Sequence, residues 1–210
     1  MKVTDCIEAY FELMRIRPEL FSPSDIYPIV TDKKTLEGYT QATNKPLGVV
    51  YQSDYHIVVV DLIENDDGSY YTYERTIPDK TGRGVVCVPE YEGKYILLRQ
   101  YRHPIRDVQL GFPRGFGENG LTSTQNAKKE LSEELEANVS DARKIGEITP
   151  DSGFLGGIVD ILHCTVTSYN PNSRNEGVLE TLLCTYEELS QMIKDGIITD
   201  SFTICGFSML

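Results

Sequence analysis

The chain has 210 residues, 40% of them hydrophobic, with 13 tyrosines, no tryptophan and a net charge of −12. That is enough apolar material for one medium domain, or for one domain with a smaller attachment. The acidic balance argues against a general nucleic-acid or anionic-membrane surface, while a phosphate-bearing small ligand stays open where basic residues and a metal share a cleft.

Cys6, Cys87, Cys164, Cys184 and Cys205 show no CxxC or zinc-finger spacing. Their odd number and mostly apolar neighbours predict reduced, structural thiols. MKVTDCIEAY has acidic residues where a secretory leader needs an apolar stretch, and no apolar run approaches a membrane span. The expectation is a cytoplasmic protein.

Residues 3–16 repeat Cys6, Ile7, Tyr10, Phe11 and Met14 at helical spacing, with Thr4 or Asp5 as cap and Pro18 as stop. Residues 19–45, broken by Pro23 and Pro28, read as a loop with a short helix near 32–38. From Pro46 the pattern turns to strands. Strands 56–63 and 69–77 flank Asn65-Asp66-Asp67-Gly68, and strands 84–91 and 94–102 flank Glu92-Gly93, giving two hairpins. RQYRHPIRD then gathers Arg99, Arg102 and Arg106, with Arg114 following. Singly each reads as a surface arginine; clustered in an acidic chain they suit phosphate oxygens, which arginine binds through paired donors. His103 precedes a proline in a loop and receives no catalytic role.

Residues 110–137 hold the most informative stretch: a strand end, a glycine-rich loop and an amphipathic helix. Thr122 with Gln125 fits a capping box that starts the helix near Ser123. Steps of three and four then align Ala127, Leu131 and Leu135 as an apolar stripe, with Glu130, Glu133 and Glu134 beside it. Like charges so close repel, each i,i+4 pair by roughly 0.2–0.5 kcal/mol. A hard divalent cation reverses that sign. The bland alternative is a solvated acidic face; against it stands the preceding loop, where Gly115, Gly117 and Gly120 let backbone amides approach a ligand.

Residues 144–149 read as a strand, Pro150–Gly153 as a turn, and 158–169 as a long buried strand in which His163 is a packed histidine. A polar loop, 169–177, carries Glu176 into a strand over 178–186. Helices follow over 186–196, with Gly196 at the C-cap, and over 200–209, capped by Thr199 or Asp200.

The run from Gly115 to Ala137 resembles the box of the Nudix hydrolases, which reads G, five residues, E, seven residues, REUxEExGU with U apolar. Gly115 takes the opening glycine, Glu130 the glutamate of RE, Leu131 the following U, Glu133 and Glu134 the EE pair, and Ala137 the closing U. The departures are Leu121 for the first glutamate, Lys129 for arginine and Glu136 for glycine. Because that glutamate and arginine commonly hold each other in the family, Leu121 and Lys129 look like a coupled structural change. QYRHP…GFPRGFGE further resembles the ADP-ribose pyrophosphatase-like branch, in which an acidic residue commonly stands at the position of Gly111.

The resemblance implies an α/β fold: a Nudix α/β/α sandwich with a mixed sheet, plus a small N-terminal antiparallel sheet and a leading helix. The implied division is a helical extension over 1–45, a dimerising sheet over 46–78 and the Nudix domain over 79–210. It implies metal-dependent hydrolysis of a nucleoside diphosphate linked to another moiety, with ADP-ribose or a related sugar nucleotide favoured. Glu130 and Glu134, with the backbone carbonyl of Arg114, would hold Mg²⁺ or Mn²⁺. Glu133 would hold a metal or orient water, and Glu176 would act as base, with Glu180 the second candidate. Arg99, Arg102, Arg106, Arg114 and Gly115 would bind the nucleotide, and Pro150–Gly153 resembles the family's loop near the substrate. The implied partners are a nucleotide-type small molecule and a second copy of the chain, with no nucleic acid and no membrane. A rival reading is a Nudix-like module that binds or senses a nucleotide without cutting it; a third, a structural dimerisation protein, leaves the glycine-rich loop unexplained.

Overall fold

A computed structural model describes the backbone of residues 3–210 and the side chains of residues 5–210. The chain forms two compact units. One comprises the residues up to Lys80 with Asp151–Gly156, the other Thr81–Pro150 with Gly157–Leu210. The residues of the expected helical extension and of the expected small sheet thus belong to one unit. All five cysteines are free thiols. Among the described residues no helix is long and apolar enough to cross a membrane.

In the first unit, α1 (Val3–Ile16) and α2 (Lys33–Thr43) accompany an antiparallel sheet of β1 (Gly48–Gln52), β2 (His56–Glu64) and β3 (Tyr70–Pro78), in that order. Thr4 and Asp5 lie inside α1 rather than capping it, and the cap itself falls outside the described residues. α2 runs five residues past the expected end. Asp32 caps it by accepting from the Thr35 N–H, and Asn44, in the left-handed region, closes it by donating to the Thr40 carbonyl.

Ile7, Tyr10, Leu36, Leu47, Val59, Leu62 and Ile77 form the core of this unit. Buried Asp61 accepts from the Tyr10 hydroxyl and from Arg75 Nε at 2.6 Å. Arg75 also donates to the Leu20 carbonyl at 2.7 Å and lies over the Phe21 ring. Burial, then the Asp61 charge, push the Tyr10 hydroxyl above its ordinary pKa. The turn over 151–156 packs on the edge of β3: the Thr76 N–H donates to the Phe154 carbonyl, and the Gly156 N–H to the Thr76 carbonyl. That covers part of an otherwise open edge.

The second unit is a seven-stranded mixed sheet. Its strands are β4 (Gly84–Tyr91), β5 (Lys94–Arg102), β6 (Asp107–Gly111), β7 (Arg114–Gly115), β8 (Asn138–Ile148), β9 (Val159–Ser168) and β10 (Val178–Cys184). The order is β10-β5-β4-β9-β8, with β6 on β5 and β7 on β4; β4 and β9 run parallel and every other pair antiparallel. Glu92 and Gly93 both have positive φ, the geometry a tight β4–β5 hairpin demands. β8 begins six residues before the expected strand. Its three register shifts break the two-residue alternation that would have shown it.

Alternation along the strands sends Val85, Cys87, Ile96 and Leu98 to one face, where α3 (Ser123–Leu135) buries Ala127, Leu131 and Leu135 against them. Each buried leucine contributes roughly 1.5–3 kcal/mol. Val86, Val88, Leu97 and Ile161 face the other way, toward Leu189 of α4 (Tyr186–Lys194) and Phe202 and Phe207 of α5 (Ser201–Ser208). The layers are therefore helix, mixed sheet, helix. Gly196 stands one residue beyond the α4 cap, which is Asp195, and takes the left-handed conformation there.

Candidate active site

The second unit builds its site from the loop between β7 and α3. The expected capping box forms: Thr122 Oγ1 accepts from the Gln125 N–H, and Gln125 Oε1 accepts from the Thr122 N–H at 2.9 Å. With the start of α3 fixed, the stripe dictates which glutamates turn inward. Glu130 is 7% exposed and Glu134 2%. Burial, followed by smaller effects that include the charge of Glu176, raises both carboxyls to about 7. Glu133 turns outward and bonds Lys129, which also reaches Glu118 at 3.0 Å.

Glu130 lies against bare backbone. A Cβ on Gly115 would fall 1.9 Å from its carboxyl carbon, so only glycine leaves room for this carboxylate. Glu134 Oε1 accepts from Gln100 Nε2 at 3.2 Å, whereas its Oε2 is buried with no hydrogen-bond partner among the described residues. Carboxylate oxygens, one of them buried and unpartnered, fit a hard divalent cation. Among the described residues no group of three or more His, Cys, Asp or Glu side chains is placed to hold a metal ion. Two carboxylates would be enough for an ion such as Mg²⁺ only if water and substrate phosphate completed its shell.

The expected arginines separate. Arg102 is partly buried, and its guanidinium makes no hydrogen bond or ion pair with another described residue. Burial, and then the like charge of Arg114, lower its pKa, against the attraction of Asp200 and Glu134. Arg114 is held by Asp200 and lies 4.4 Å over the Phe202 ring. Arg99 is exposed, follows Leu98 onto the opposite face of β5, and pairs with Glu180 at 3.3 Å. Arg106 is exposed and turned against His103. Arg102, Arg114 and Gly115 are thus gathered with the glutamates, and Arg99, Arg106 and Glu180 are not.

Glu176 lies in a single 3-10 turn, Asn175–Gly177, exposed and in the left-handed region. Its backbone carbonyl accepts from Gln100 Nε2 at 2.9 Å. Its charge raises the pKa of both Glu130 and Glu134, so the three carboxylates share one neighbourhood. His163 is not purely packed: it is partly exposed and bonds Glu90 at 2.8 Å.

Three residues with positions in this site escape a reading of the sequence. Gln100 carries the weak signal of an amide in step with Leu98. Glu118 takes the place beside Lys129 that the box gives to position 121. Asp200 is visible only as a helix cap, yet it binds Arg114, and its Oδ2 accepts from the N–H and hydroxyl of Thr203. Thr203 Oγ1 in turn accepts the Phe112 N–H at 2.8 Å. A Cβ at Gly111 would lie 2.7 Å from Thr203 Oγ1 and 3.1 Å from Asp200 Oδ2. An acid at this position, which the resembling branch commonly carries, would force Thr203 to shift, and the carboxylate of Asp200, the cap of α5, lies beside that space.

No family profile matches the chain. The methanol dehydrogenase activator of Bacillus methanolicus is 25% identical over 154 residues, covering 72% of this chain and 82% of that protein. A crystal structure of an ADP compounds hydrolase superposes with a TM-score of 0.66 at 18% identity, covering 77% of this chain and 87% of that one. A likeness at that identity speaks to the fold: the mixed sheet between α3 and the α4–α5 layer is the Nudix α/β/α sandwich.

Proposed function

We propose that this chain is a metal-dependent hydrolase of nucleoside diphosphates linked to another moiety, with ADP-ribose or a related sugar nucleotide as favoured substrate. The observation that carries the reading is that two inward glutamates, Glu130 and Glu134, lie within electrostatic reach of Arg102, whose guanidinium has no partner among the described residues. An acidic pair suits a cation, and a free cation in an acidic chain suits phosphate. Glu130 and Glu134 would hold Mg²⁺ or Mn²⁺, and the backbone carbonyl of Arg114 could supply a further oxygen. When bound, the ion neutralises diphosphate charge and makes a water more acidic. Arg102 binds a phosphate oxygen, while Arg114, already neutralised by Asp200, shapes the wall. Glu176 takes the proton as water oxygen attacks phosphorus and the P–O anhydride bond breaks. General-base help of this kind is worth about 10²–10⁴-fold. Glu133, tied to Lys129, is left to steady the helix or orient water.

The resemblance of the box and the fold shared with an ADP compounds hydrolase support this reading. A second reading, a nucleotide-binding or sensing module without turnover, draws on Leu121, Gly111 and Glu136 and on a relative named as an activator. Incubation with a panel of dinucleotides, sugar nucleotides and nucleoside triphosphates plus Mg²⁺ or Mn²⁺, scored for released phosphate or monophosphate, separates them. Turnover of a nucleoside diphosphate derivative is expected. Saturable binding with no turnover on any compound selects the sensor. A homodimer belongs to the same proposal, since β1 has β2 as its only strand partner among the described residues and carries the exposed Tyr51. A monomer in sedimentation counts against that part.

A further inference from the structure

We propose that Gln100 is a positioning residue that yokes Glu134 to the loop carrying Glu176, so that the two carboxylates keep a fixed relation. The inference rests on the reading above, in which Glu134 holds the cation and Glu176 serves the attacking water. Gln100 is 6% exposed on β5, and its amide nitrogen has two hydrogens to give. One goes to Glu134 Oε1 at 3.2 Å and the other to the Glu176 carbonyl at 2.9 Å. A single side chain therefore touches both the acidic helix and the loop.

The rest of the loop is clasped elsewhere. The Asn170 N–H donates to the Leu135 carbonyl at 2.9 Å, Ser173 Oγ to the Glu134 carbonyl at 2.7 Å, and Asn175 Nδ2 to the Glu133 carbonyl at 3.0 Å. These bonds satisfy carbonyls at the end of α3. None of them reaches the peptide of Glu176, which sits with Gly177 in the left-handed region just before β10. There Val178 pairs with Gln100, and the register shifts before Glu180. Gln100 thus stands where the loop rejoins the sheet. Packing alone does not account for an amide at this position. Among the described residues its own Oε1 is buried without a partner, a cost that an apolar residue of the same size would avoid.

The test uses the full chain with Gln100→Met, nearly isosteric but without donors, and Gln100→Leu where the Met variant does not fold. Mn²⁺ affinity is read from the resonance of free Mn²⁺, and loop order from hydrogen exchange over 173–178 in metal-free protein. Loss of an outer-shell partner predicts Mn²⁺ affinity about tenfold weaker or more, faster exchange over 173–178 and unchanged exchange in β4. On any substrate turned over, kcat falls with KM nearly constant. Ser173→Ala is the control: it loosens the loop from α3 but leaves Gln100 on Glu134, so Mn²⁺ affinity stays within about twofold of the parent. Parent-like affinity and exchange in the Gln100 variants overturn the proposal, as does an equal Mn²⁺ loss in Ser173→Ala. If the parent binds no Mn²⁺, the metal reading falls by itself. Exchange over 173–178 then decides the yoke alone, and unchanged exchange removes it too.

Discussion

Lys129 reaches back to Glu118 at 3.0 Å, tying the first turns of α3 to the loop that precedes it. That contact bears on two of the positions where the sequence departs from the Nudix box it resembles. Lys129 pairs with the acid at 118 instead of one at 121 and also reaches Glu133. Leu121 is only partly exposed, so a carboxylate there would be partly desolvated without a cation to itself. Leu121→Glu is expected to leave turnover unchanged and to cost about 1 kcal/mol, a few degrees in thermal midpoint. A large gain in activity would mean that position 121, not Glu118, is the missing partner.

Glu136 ends α3 in the left-handed region, with φ 53, where the box has glycine. An L side chain there costs roughly 1–2 kcal/mol. Part of this is offset by the bond from Asn170 Nδ2 to Glu136 Oε1 at 3.1 Å, and glycine adds freedom to the unfolded chain. The balance favours Glu136→Gly by about 0.5 kcal/mol. A higher urea midpoint at constant slope is the expected result. A lower midpoint would show that the Asn170 bond outweighs the backbone strain.

Stability without metal should depend on pH in a definite direction. Glu130 and Glu134 ionise near 7 in the fold against an ordinary 4.5, chiefly because burial disfavours their charged forms. A raised carboxyl contributes stability that is complete below the unfolded value and is lost as pH rises through the folded one. In chelator the thermal midpoint should therefore fall between pH 5 and 8. Asp160, whose pKa is lowered despite its burial by Lys144, Ser123 and Arg83, acts only at more acid pH and does not blur this window. Mg²⁺ should restore the midpoint most at pH 8, where both carboxylates are ionised and free to bind it. A midpoint that climbs from pH 5 to 8 in chelator would contradict the burial of this pair.

What the sequence shows of this molecule is what neighbours along the chain determine. The Thr122–Gln125 box, the stripe through Leu131 and the Glu92-Gly93 hairpin are local, and each appears where its pattern places it. The start of β8 is hidden because bulges scramble its alternation. Gln100 and Asp200 are hidden for another reason: their meaning lies in partners far along the chain, Glu134 and Arg114. The arginine cluster divides on a similar point. Strand alternation puts Arg99 on the opposite face from Gln100, and only a known register and sheet reveal which face meets the acidic helix.

Glu130→Gln tests the central assignment. Glu130 stands one helical turn before Glu134, against the bare backbone of Gly115, and its charge contributes to the raised pKa of Glu134. Glutamine keeps the size and the helix propensity while removing a buried charge and its repulsion. In metal-free buffer at pH 8 the variant should be at least as stable as the parent. If Glu130 only lines a wall, nothing else changes. If it holds the cation, the loss of a direct ligand removes several kcal/mol of charge stabilisation from the transition state, so turnover falls by about two orders of magnitude or more. The added thermal stability that Mg²⁺ gives the parent should vanish with it. Thermal melts with and without Mg²⁺, run beside turnover on one substrate, read both effects in the same protein. A variant that is hydrolytically equal to the parent and equally stabilised by Mg²⁺ would leave the acidic pair with no part in the chemistry.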